Sequence, residues 1–517
     1  MASSAKTSFR RASGLVVRIA FLLLGLLAMA PAAQAHVGSP DIYAEGSAGP
    51  YRLLVTIRPP QVIPGVAEIE VRSVSPDVQS ISITPIPLIG EASKHPPVAD
   101  AMKQSTSDKS FFTGTLWIMS SGSWQVRFAV QAAQGSYLLS IPVPATASAT
   151  QGMQAGLGVI LGTLGLVLMI GLVGIVGAAA RDAQLPPGTA STQTGRRKAL
   201  IAMAVMLTLV VAAAVFGRLW WNNEAGDYAR YVYKPLTMTA ALEQQDIPAL
   251  ELKIEDPGWI KARRLDDFVL DHDHLMHLYL LREPGLDLVY HLHPEQTGAG
   301  SFCLFLPSVP AGDYRLYADV VHANGFPETL VSSLTLPEIK GRPLAGDDAE
   351  GTEAPTNPAA CSTGKALPDS FRLPDGFTMH WNRPSPLKAK ASNLFEFTLL
   401  DGASRPPADM ALYMGMLGHA AFVKDDGSVF AHVHPSGTVS MAALMMAAQQ
   451  NQSQNAQQKP AAEPMADMPG MAMHSTSALP NQVAFPYGFP TPGTYRVFVQ
   501  MKHGATIETA AFDACVQ

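Results

Sequence analysis

The sequence predicts a mainly β protein with three immunoglobulin-like β-sandwich domains and two transmembrane α-helices between the first and the second. Short runs that alternate apolar and polar residues, such as residues 51–57 and 67–72, are separated by turns rich in glycine and proline, which is typical of sandwiches. A glycine, an aromatic residue two positions later and an alternating strand recur around Trp124, Tyr314 and Tyr495. This recurrence indicates three related units, with the aromatic residue as a structural corner.

The N-terminus has the pattern of a secretory signal peptide. Four basic residues precede an apolar run over residues 19–30, and the small-residue stretch Ala33-Gln34-Ala35 follows. We therefore predict a signal peptide at residues 1–35 and a mature protein that begins at His36.

Two apolar segments, residues 155–180 and 199–217, are the predicted transmembrane helices. The loop between them, residues 181–198, carries four basic residues and one acidic residue, so the positive-inside rule places it in the cytoplasm. The segments contain no charged residue and no histidine, and we interpret them as an anchor. The predicted location is the bacterial inner membrane, with two spans and the large domains facing the periplasm.

Changes in composition set the remaining boundaries. A stretch rich in glycine, alanine, proline and acidic residues reads as a linker, and a low-complexity stretch rich in methionine and glutamine is predicted to be a disordered insert. The predicted regions are periplasmic sandwich 1 (36–150), sandwich 2 (222–339), the linker (340–370) and sandwich 3 (371–517) with its insert (441–482).

Charge and cysteine content narrow the function classes. The chain has 36 basic and 42 acidic residues, and eight of the basic ones lie in the signal segment and the loop between the spans. The exported part is therefore acidic, which argues against a nucleic-acid partner and suits a surface that attracts cations. Three cysteines are too few for a disulfide scaffold. Cys361 and Cys515 could bridge the first and last strands of sandwich 3, which would leave Cys303 unpaired and buried in a strand.

A histidine pattern occurs twice. Each copy has one histidine, then a turn, then a His-X-His-Pro stretch, and later a Tyr-Arg pair with another histidine eight residues after the tyrosine. Imidazole is the commonest metal ligand, so the repeated pattern predicts a metal site in each of the two domains. The predicted ligands are His277, His291, His293 and His322 in sandwich 2, and His419, His432, His434 and His503 in sandwich 3.

Hairpin geometry brings the first three histidines of each copy together. A hairpin closed at residues 283–286 places His277 opposite His291 or His293, and one closed at residues 425–428 places His419 opposite His434. Residues two apart on a strand share a face, and opposed Cβ atoms are about 5 Å apart. His322 and His503 are expected as fourth ligands if their strand packs beside the hairpin. The alternative is that histidines on a strand only pack, and that duplication preserved them without a metal.

A second histidine-rich stretch precedes the first site. Asp271-His272-Asp273-His274 could add ligands, but the stretch of sandwich 3 that we match to it is Gly415-Met416-Leu417-Gly418, which has no histidine. We therefore favour local decoration for this stretch.

Three features favour copper over zinc or another divalent metal. Met414 and Met416 lie beside His419, and thioether sulfur selects Cu(I). At a mature N-terminus, the free amine and the ring of His36 can chelate one Cu(II). The insert carries methionines and a histidine at spacings that suit capture of a soft cation, namely Met465, Met468, Met471, Met473 and His474.

These features carry a family resemblance. The signal peptide, His36 and the anchored sandwich layout resemble exported copper-resistance modules of the CopC type, and the outward sandwiches are similar to YtkA-like and FixH-like membrane-anchored domains. From the CopC pattern only the N-terminal histidine transfers, to His36. The duplicated histidine unit, over residues 270–335 and 405–515, resembles domains of uncharacterised bacterial envelope proteins.

The sequence thus predicts a non-enzymatic, membrane-anchored periplasmic protein that binds copper for buffering, resistance or delivery to an acceptor, such as a respiratory or copper enzyme. One alternative is an assembly or interaction module whose histidines are structural. A metal enzyme ranks last, because the sequence shows no nucleophile-base pair and no HExxH motif.

Overall fold

The computed structural model describes the chain from residue 41 to residue 517. Within that range it leaves out residues 76, 187, 244–245, 352–353, 356–357, 359–360, 362–366 and 459–477, and side chains are not described for residues 452–458. The predicted signal peptide (1–35), His36 and the five proposed ligands of the insert lie outside the described residues.

Sandwich 1 consists of two antiparallel sheets, as its alternating runs predict. Apolar side chains such as Val55, Val71 and Phe128 alternate inward and form one core between the sheets. The sheet orders are β1-β2-β3-β7-β6 and β5-β4-β8-β9. The strands are β1 (Ile42–Ala48), β2 (Tyr51–Arg58), β3 (Gly65–Ser73), β4 (Val78–Pro87), β5 (Asp100–Ala101), β6 (Lys103–Gln104), β7 (Phe111–Ile118), β8 (Gly122–Ala132) and β9 (Gly135–Ala145), with a 3-10 turn at Glu91–Lys94.

Two long helices follow, α1 (Ala155–Asp182) and α2 (Gln193–Ala229). Both are apolar and long enough to cross a membrane. The predicted spans lie inside them, but α2 continues through residues 222–229, which the sequence had assigned to sandwich 2. No proline interrupts this stretch before Pro235, so nothing in the backbone chemistry ends the helix earlier.

Sandwich 2 again has two sheets, in the orders β10-β11-β15-β14 and β17-β16-β12-β13-β18. Its core lies between them and includes Leu252, Leu278 and Leu316. The strands are β10 (Thr237–Glu243), β11 (Ala249–Glu255), β12 (His277–Glu283), β13 (Val289–Leu292), β14 (Glu295–Gly298), β15 (Ser301–Phe305), β16 (Gly312–Val321), β17 (Pro327–Leu336) and β18 (Ala349–Glu350). Because β18 pairs with β13, the predicted linker supplies an edge strand of this sandwich.

Sandwich 3 repeats the arrangement. One sheet has the order β19-β20-β21-β25. In the other, β22, β23 and β27 pair with β26, and β24 pairs with β23. The strands are β19 (Ser370–Arg372), β20 (Thr378–Asn382), β21 (Asn393–Leu400), β22 (Met410–Ala411), β23 (His419–Lys424), β24 (Phe430–Val433), β25 (Gln482–Tyr487), β26 (Gly493–His503) and β27 (Thr506–Val516). The structure thus confirms the predicted fold class, three β-sandwiches with two helices between the first and the second.

The insert differs from the prediction in its first part. Residues predicted to be disordered form helix α3 (Met441–Gln458), whose apolar residues Met441 and Leu444 join the core cluster of sandwich 1. A run of Ala, Leu and Met favours helix. The low complexity of the segment suggested that it could not bury enough apolar surface to fold, but one side of the helix is buried against another domain, and this burial stabilises it. The methionine-rich residues 465–474 lie outside the described part of the chain.

The three recurring aromatic residues are corner residues. The side chains of Trp124, Tyr314 and Tyr495 each donate a hydrogen bond of 2.8 Å to the backbone carbonyl four residues earlier. The acceptors are Ser120, Pro310 and Thr491, respectively. The predicted structural role is confirmed. The disulfide that the sequence allowed, Cys361–Cys515, is present, and Cys303 is a free, half-buried thiol in β15.

Sandwiches 2 and 3 pack against each other through the sheets that contain β12 and β23. Both faces of β12 are buried: Leu278 and Leu280 point into the sandwich core, whereas Tyr279 and Leu281 pack against Val423 and other apolar residues of sandwich 3. Tyr317 stacks on Phe430 with ring centroids 4.2 Å apart. A continuous apolar interface therefore holds the two sandwiches together.

The Tyr-Arg pair of each repeat also serves this interface. Arg315 donates to the backbone carbonyl of Asp426 in the β23–β24 turn at 3.2 Å, and Arg496 donates to the carbonyl of Leu286 in the β12–β13 turn at 2.9 Å. Each sandwich thus uses the equivalent arginine to hold the hairpin turn of the other. The two domains therefore make equivalent contacts with each other.

Candidate metal centre

The hairpin histidines lie at the other end of the same interface. In the β12–β13 register, Leu278 pairs with Leu292, so His277 lies opposite His293. In the β23–β24 register, Ala420 pairs with Val433, so His419 lies opposite His434. Both registers agree with the predicted pairings. Because side chains alternate along a strand, these histidines share the face that carries the apolar interface residues.

The two predicted three-histidine sets are neighbours in one cluster. The rings of His277 and His432 have centroids 5.3 Å apart, and those of His291 and His432 are 5.4 Å apart. The sequence predicted one site per domain, because hairpin pairing is local and does not show which faces of two domains meet. The histidine cluster contains His272, His274, His277, His291, His293, His419, His432 and His434.

His272 and His274 are members that the sequence analysis set aside. The ring of His272 lies 4.8 Å from that of His434, and His274 stacks on His293 at 3.8 Å. The predicted match of residues 271–274 to residues 415–418 was wrong. The tight turns of Asp271–His274 and Tyr413–Met416 are equivalent: each is closed by a bridge between its end residues, and His272 and Met414 both have φ of 50°.

Counting back from the first histidine of each repeat gives the correct correspondence. Asp271 precedes His277 by six positions, and Tyr413 precedes His419 by six. Met414 and Met416 therefore replace His272 and His274 in the second copy. This spacing is the signal that identifies the missed residues.

The rings of His272, His293, His432 and His434 are each oriented by an oxygen at Nδ1. His272 Nδ1 lies 2.9 Å from the Met414 carbonyl, and His434 Nδ1 lies 3.3 Å from the Val439 carbonyl. A carbonyl oxygen only accepts, so Nδ1 donates, and Nε2 of the neutral ring carries the lone pair. In the same way His293 Nδ1 lies 3.0 Å from Asp348 and His432 Nδ1 lies 3.3 Å from Asp319. Ligating histidines are usually held this way by carbonyls or carboxylates.

The opposite nitrogens of these rings are buried without a partner. Among the described residues, Nε2 of His272, His293, His432 and His434 and both ring nitrogens of His419 find no hydrogen-bond partner. His419 is 0% exposed. A buried polar atom without a partner is uncommon, and each costs about 1–3 kcal/mol. Six such atoms in one cluster therefore point to a ligand that is not a protein group.

His277 and His291 approach each other closely. His277 Nε2 donates to the Asp271 carbonyl at 2.9 Å, so its Nδ1 carries the lone pair, and this atom lies 3.1 Å from His291 Nε2. Two imidazole nitrogens on one tetrahedral ion are about 3.3 Å apart, given bonds of roughly 2.0–2.1 Å. The pair thus already has the spacing of two ligands of one metal.

The cluster favours neutral imidazoles. Burial, and then the neighbouring histidines, hold the pKa of His277, His291 and His419 well below the usual value. Burial likewise lowers the pKa of His272 and His293 and strongly lowers that of His434. A neutral imidazole is the form that binds a metal, so these rings need not lose a proton first.

Acidic residues surround the cluster, and α3 closes one side of it. Asp347 and Asp348, both partly exposed, contact His274 and His293 at 3.4 and 3.0 Å. Asp271 is buried and accepts a hydrogen bond from the backbone N–H of Ala442 at the start of α3, at 2.7 Å. The partly exposed acids form the side from which a cation would be attracted.

His322 and His503 do not join the cluster, contrary to prediction. His322 Nδ1 contacts Asp267 at 2.8 Å and its ring lies against Phe268. Asp319 of β16 pairs with His277, and Gln500 of β26 pairs with His419. His322 and His503 lie three positions after these residues, and because side chains alternate along a strand, theirs point away from the face that carries the cluster. Although burial opposes it, Glu328 and Asp267 raise the pKa of His322.

His503 has its own group of acids. Its Nε2 lies 3.2 Å from Glu508 and 3.4 Å from Asp375, and its Nδ1 lies 3.5 Å from Asp409. Burial, together with the Asp375 carboxylate, raises the pKa of Glu508 to about 7. His503 is thus engaged by carboxylates at both nitrogens and belongs to an ion-pair group separate from the cluster.

The methionines beside His419 have structural contacts. Met416 is buried in the core cluster of sandwich 1, and Met414, also buried, packs with Ala349 and Tyr413 while its carbonyl orients His272. Both side chains thus have apolar packing partners, and their role as copper ligands stays a prediction.

Comparisons with known proteins bear mainly on sandwich 3. A family model described as "Domain of unknown function (DUF8832)" matches residues 372–517, which is less than half of the chain. No curated protein sequence matches.

Solved structures offer only distant likenesses. A tetra-tandem repeat in the extending region of a large adhesion protein is 8% identical, with 93% of each chain covered and a TM-score of 0.15. Salmonella alpha-2-macroglobulin reacted with methylamine is 7% identical over 93% of this chain and 24% of that chain, with a TM-score of 0.19. A putative membrane anchored protein from Corynebacterium diphtheriae is 8% identical over 92% of this chain and 95% of the other, with a TM-score of 0.14. Likenesses this weak carry no argument about function.

Proposed function

We propose that this chain is a membrane-anchored metal-binding protein that holds copper in the histidine cluster and buffers it or passes it to an acceptor. The observation that carries the proposal is the set of six buried imidazole nitrogens without a partner among the described residues. A resident cation would satisfy them, and it would do so at rings already oriented through their other nitrogen.

The donor set favours copper. Affinity of a nitrogen site for divalent first-row metals rises to a maximum at Cu²⁺, and imidazole suits copper well. The acidic side chains of Asp347 and Asp348 at the partly exposed edge would attract the cation. The proposed setting is the periplasmic side of the bacterial inner membrane, with α1 and α2 as the anchor and with a protein acceptor as the partner.

The test is metal retention by the purified full-length protein. After copper loading and dialysis, the wild type is expected to keep copper that a His291→Ala/His293→Ala/His432→Ala/His434→Ala variant loses. His380, exposed on β20, provides the matched control, and His380→Ala is expected to bind as the wild type does. A parallel loading with zinc tests the choice of metal, and copper should displace zinc.

The competing function is an assembly module with structural histidines. Copper retention unchanged in the quadruple variant would refute the metal proposal. A stable protein partner retained by that variant would then favour the assembly role.

A further inference from the structure

We propose that the histidine cluster is a two-ion centre, with one ion on His277, His291 and His293 and the second on His272, His419 and His434. This inference rests on the proposed metal-binding function and specifies its stoichiometry. In each set, one nitrogen from every ring lies within 4.8 Å of the others, which leaves each ring a small rotation away from tetrahedral ligand spacing.

The two sets have different origins, and this separates their roles. The first set comes from sandwich 2 alone: His277 lies on β12, His291 on β13 and His293 directly after β13. The second set joins His272 of sandwich 2 to His419 and His434 of sandwich 3. The second ion would therefore link the two sandwiches, whereas the first would bind within one of them.

His432 lies between the sets. Its ring centroid is 5.3 Å from His277 of the first set and 4.5 Å from His434 of the second. Its Nδ1 is oriented by Asp319 of sandwich 2, and its Nε2 has no partner among the described residues. This ring therefore lies beside both proposed ions, and its Nε2 is available to ligate one of them.

The charge around the cluster suits bound cations. Carboxylates lie around the rings: Asp319 contacts His432, Asp347 contacts His274 and Asp348 contacts His293, while Asp271 lies beside His272 and supplies the carbonyl that orients His277. A buried charge is tolerated when it is paired. These carboxylates would offset part of the charge of the bound cations.

The experiment counts copper equivalents lost from the full-length protein. His272→Asn removes a ligand of the second set only, and asparagine tolerates the left-handed backbone at this position, where φ is 50°. His293→Asn removes a ligand of the first set only. Differences from the wild type cancel any copper bound elsewhere on the chain, and His380→Ala serves as the control.

The proposal expects each single variant to lose one equivalent of Cu(II) and the double variant to lose two. In electron paramagnetic resonance, the wild type should show the half-field signal of two neighbouring Cu(II) ions, and both single variants should lack it. Circular dichroism verifies that each variant is folded; if either is not, His272→Gly and His293→Gln replace them.

Loss of the same single equivalent in both single variants and the double variant would mean one shared ion. That result overturns the two-ion centre and leaves the proposed function intact. No loss in any variant would refute both.

Discussion

Replacing His419 by leucine should stabilise the metal-free protein and, at the same time, remove stabilisation by metal. His419 is 0% exposed, and neither ring nitrogen has a partner among the described residues. Each unsatisfied buried group costs about 1–3 kcal/mol. Leucine removes both groups at similar volume, so even at the lower bound the gain is about 2 kcal/mol, or ~4–8 °C in melting temperature for a domain of roughly 150–250 residues.

Copper should stabilise the wild type more than the variant. At a free concentration 100 times the dissociation constant, a bound ion adds about 2.7 kcal/mol to the wild type, and His419→Leu should gain less because a ligand is missing. The assay is thermal unfolding of the full-length protein in detergent, with a chelator or with copper, and with His380→Leu as the exposed control. A metal-free variant less stable than the wild type would refute the assignment of unsatisfied nitrogens, and an equal copper-induced shift would refute His419 as a ligand.

Three further predictions follow from individual contacts. The metal-free protein should lose stability as pH falls below about 6.5, because histidines in the unfolded chain then bind protons that the six buried rings with lowered pKa do not. The upper bound of this loss is ~8 kcal/mol per pH unit, at roughly 1.4 kcal/mol per ring. Denaturation at several pH values measures it, and no loss between pH 7 and 5 would contradict the prediction. Glu508, whose pKa is raised to about 7, and His322, His503 and Asp271, whose pKa values are also raised, act in the opposite direction and reduce this loss. Asp348→Asn should weaken metal binding about 10–100-fold, since the carboxylate orients His293. Competition titration measures the affinity, with the exposed Asp266→Asn as the control. Equal affinities of Asp348→Asn and the wild type would contradict the prediction. Gly437→Ala should lower the free energy of unfolding by more than ~2 kcal/mol, because φ is 121° and a Cβ would lie 1.9 Å from the Tyr43 carbonyl oxygen. The control Gly376→Ala, also at positive φ but in open space, should lower it less. Equal melting temperatures of the two variants would contradict the predicted clash.

The sequence was sufficient for the fold because its signals are local. Alternation, turn residues and the corner aromatics depend on neighbours a few residues away, and all three corners, at Trp124, Tyr314 and Tyr495, make the expected backbone hydrogen bond. The hairpin registers at His277 and His419 follow from turn position for the same reason. Where a signal depended on a distant partner, as for α3 packed against sandwich 1, local composition was misleading.

The site was half predictable. Each hairpin set could be derived, but the joining of the sets depends on which faces of two domains meet. One clue was present: Tyr279 and Leu281 alternate with Leu278 and Leu280, so β12 is apolar on both faces, and a sheet needs only one apolar face to form a sandwich core. The second face required a partner, and the histidines on that same face would necessarily meet it.

The packing of the two sandwiches does not depend on a metal. The apolar half of the interface and the reciprocal contacts of Arg315 and Arg496 hold the two sandwiches together, and these contacts involve no histidine. The imidazoles are therefore brought into range by packing that would persist when the metal leaves. Small zinc domains behave differently, since they unfold without their ion. A site whose scaffold is independent of its occupant can gain and lose an ion without unfolding, which is the property that a copper buffer or carrier needs.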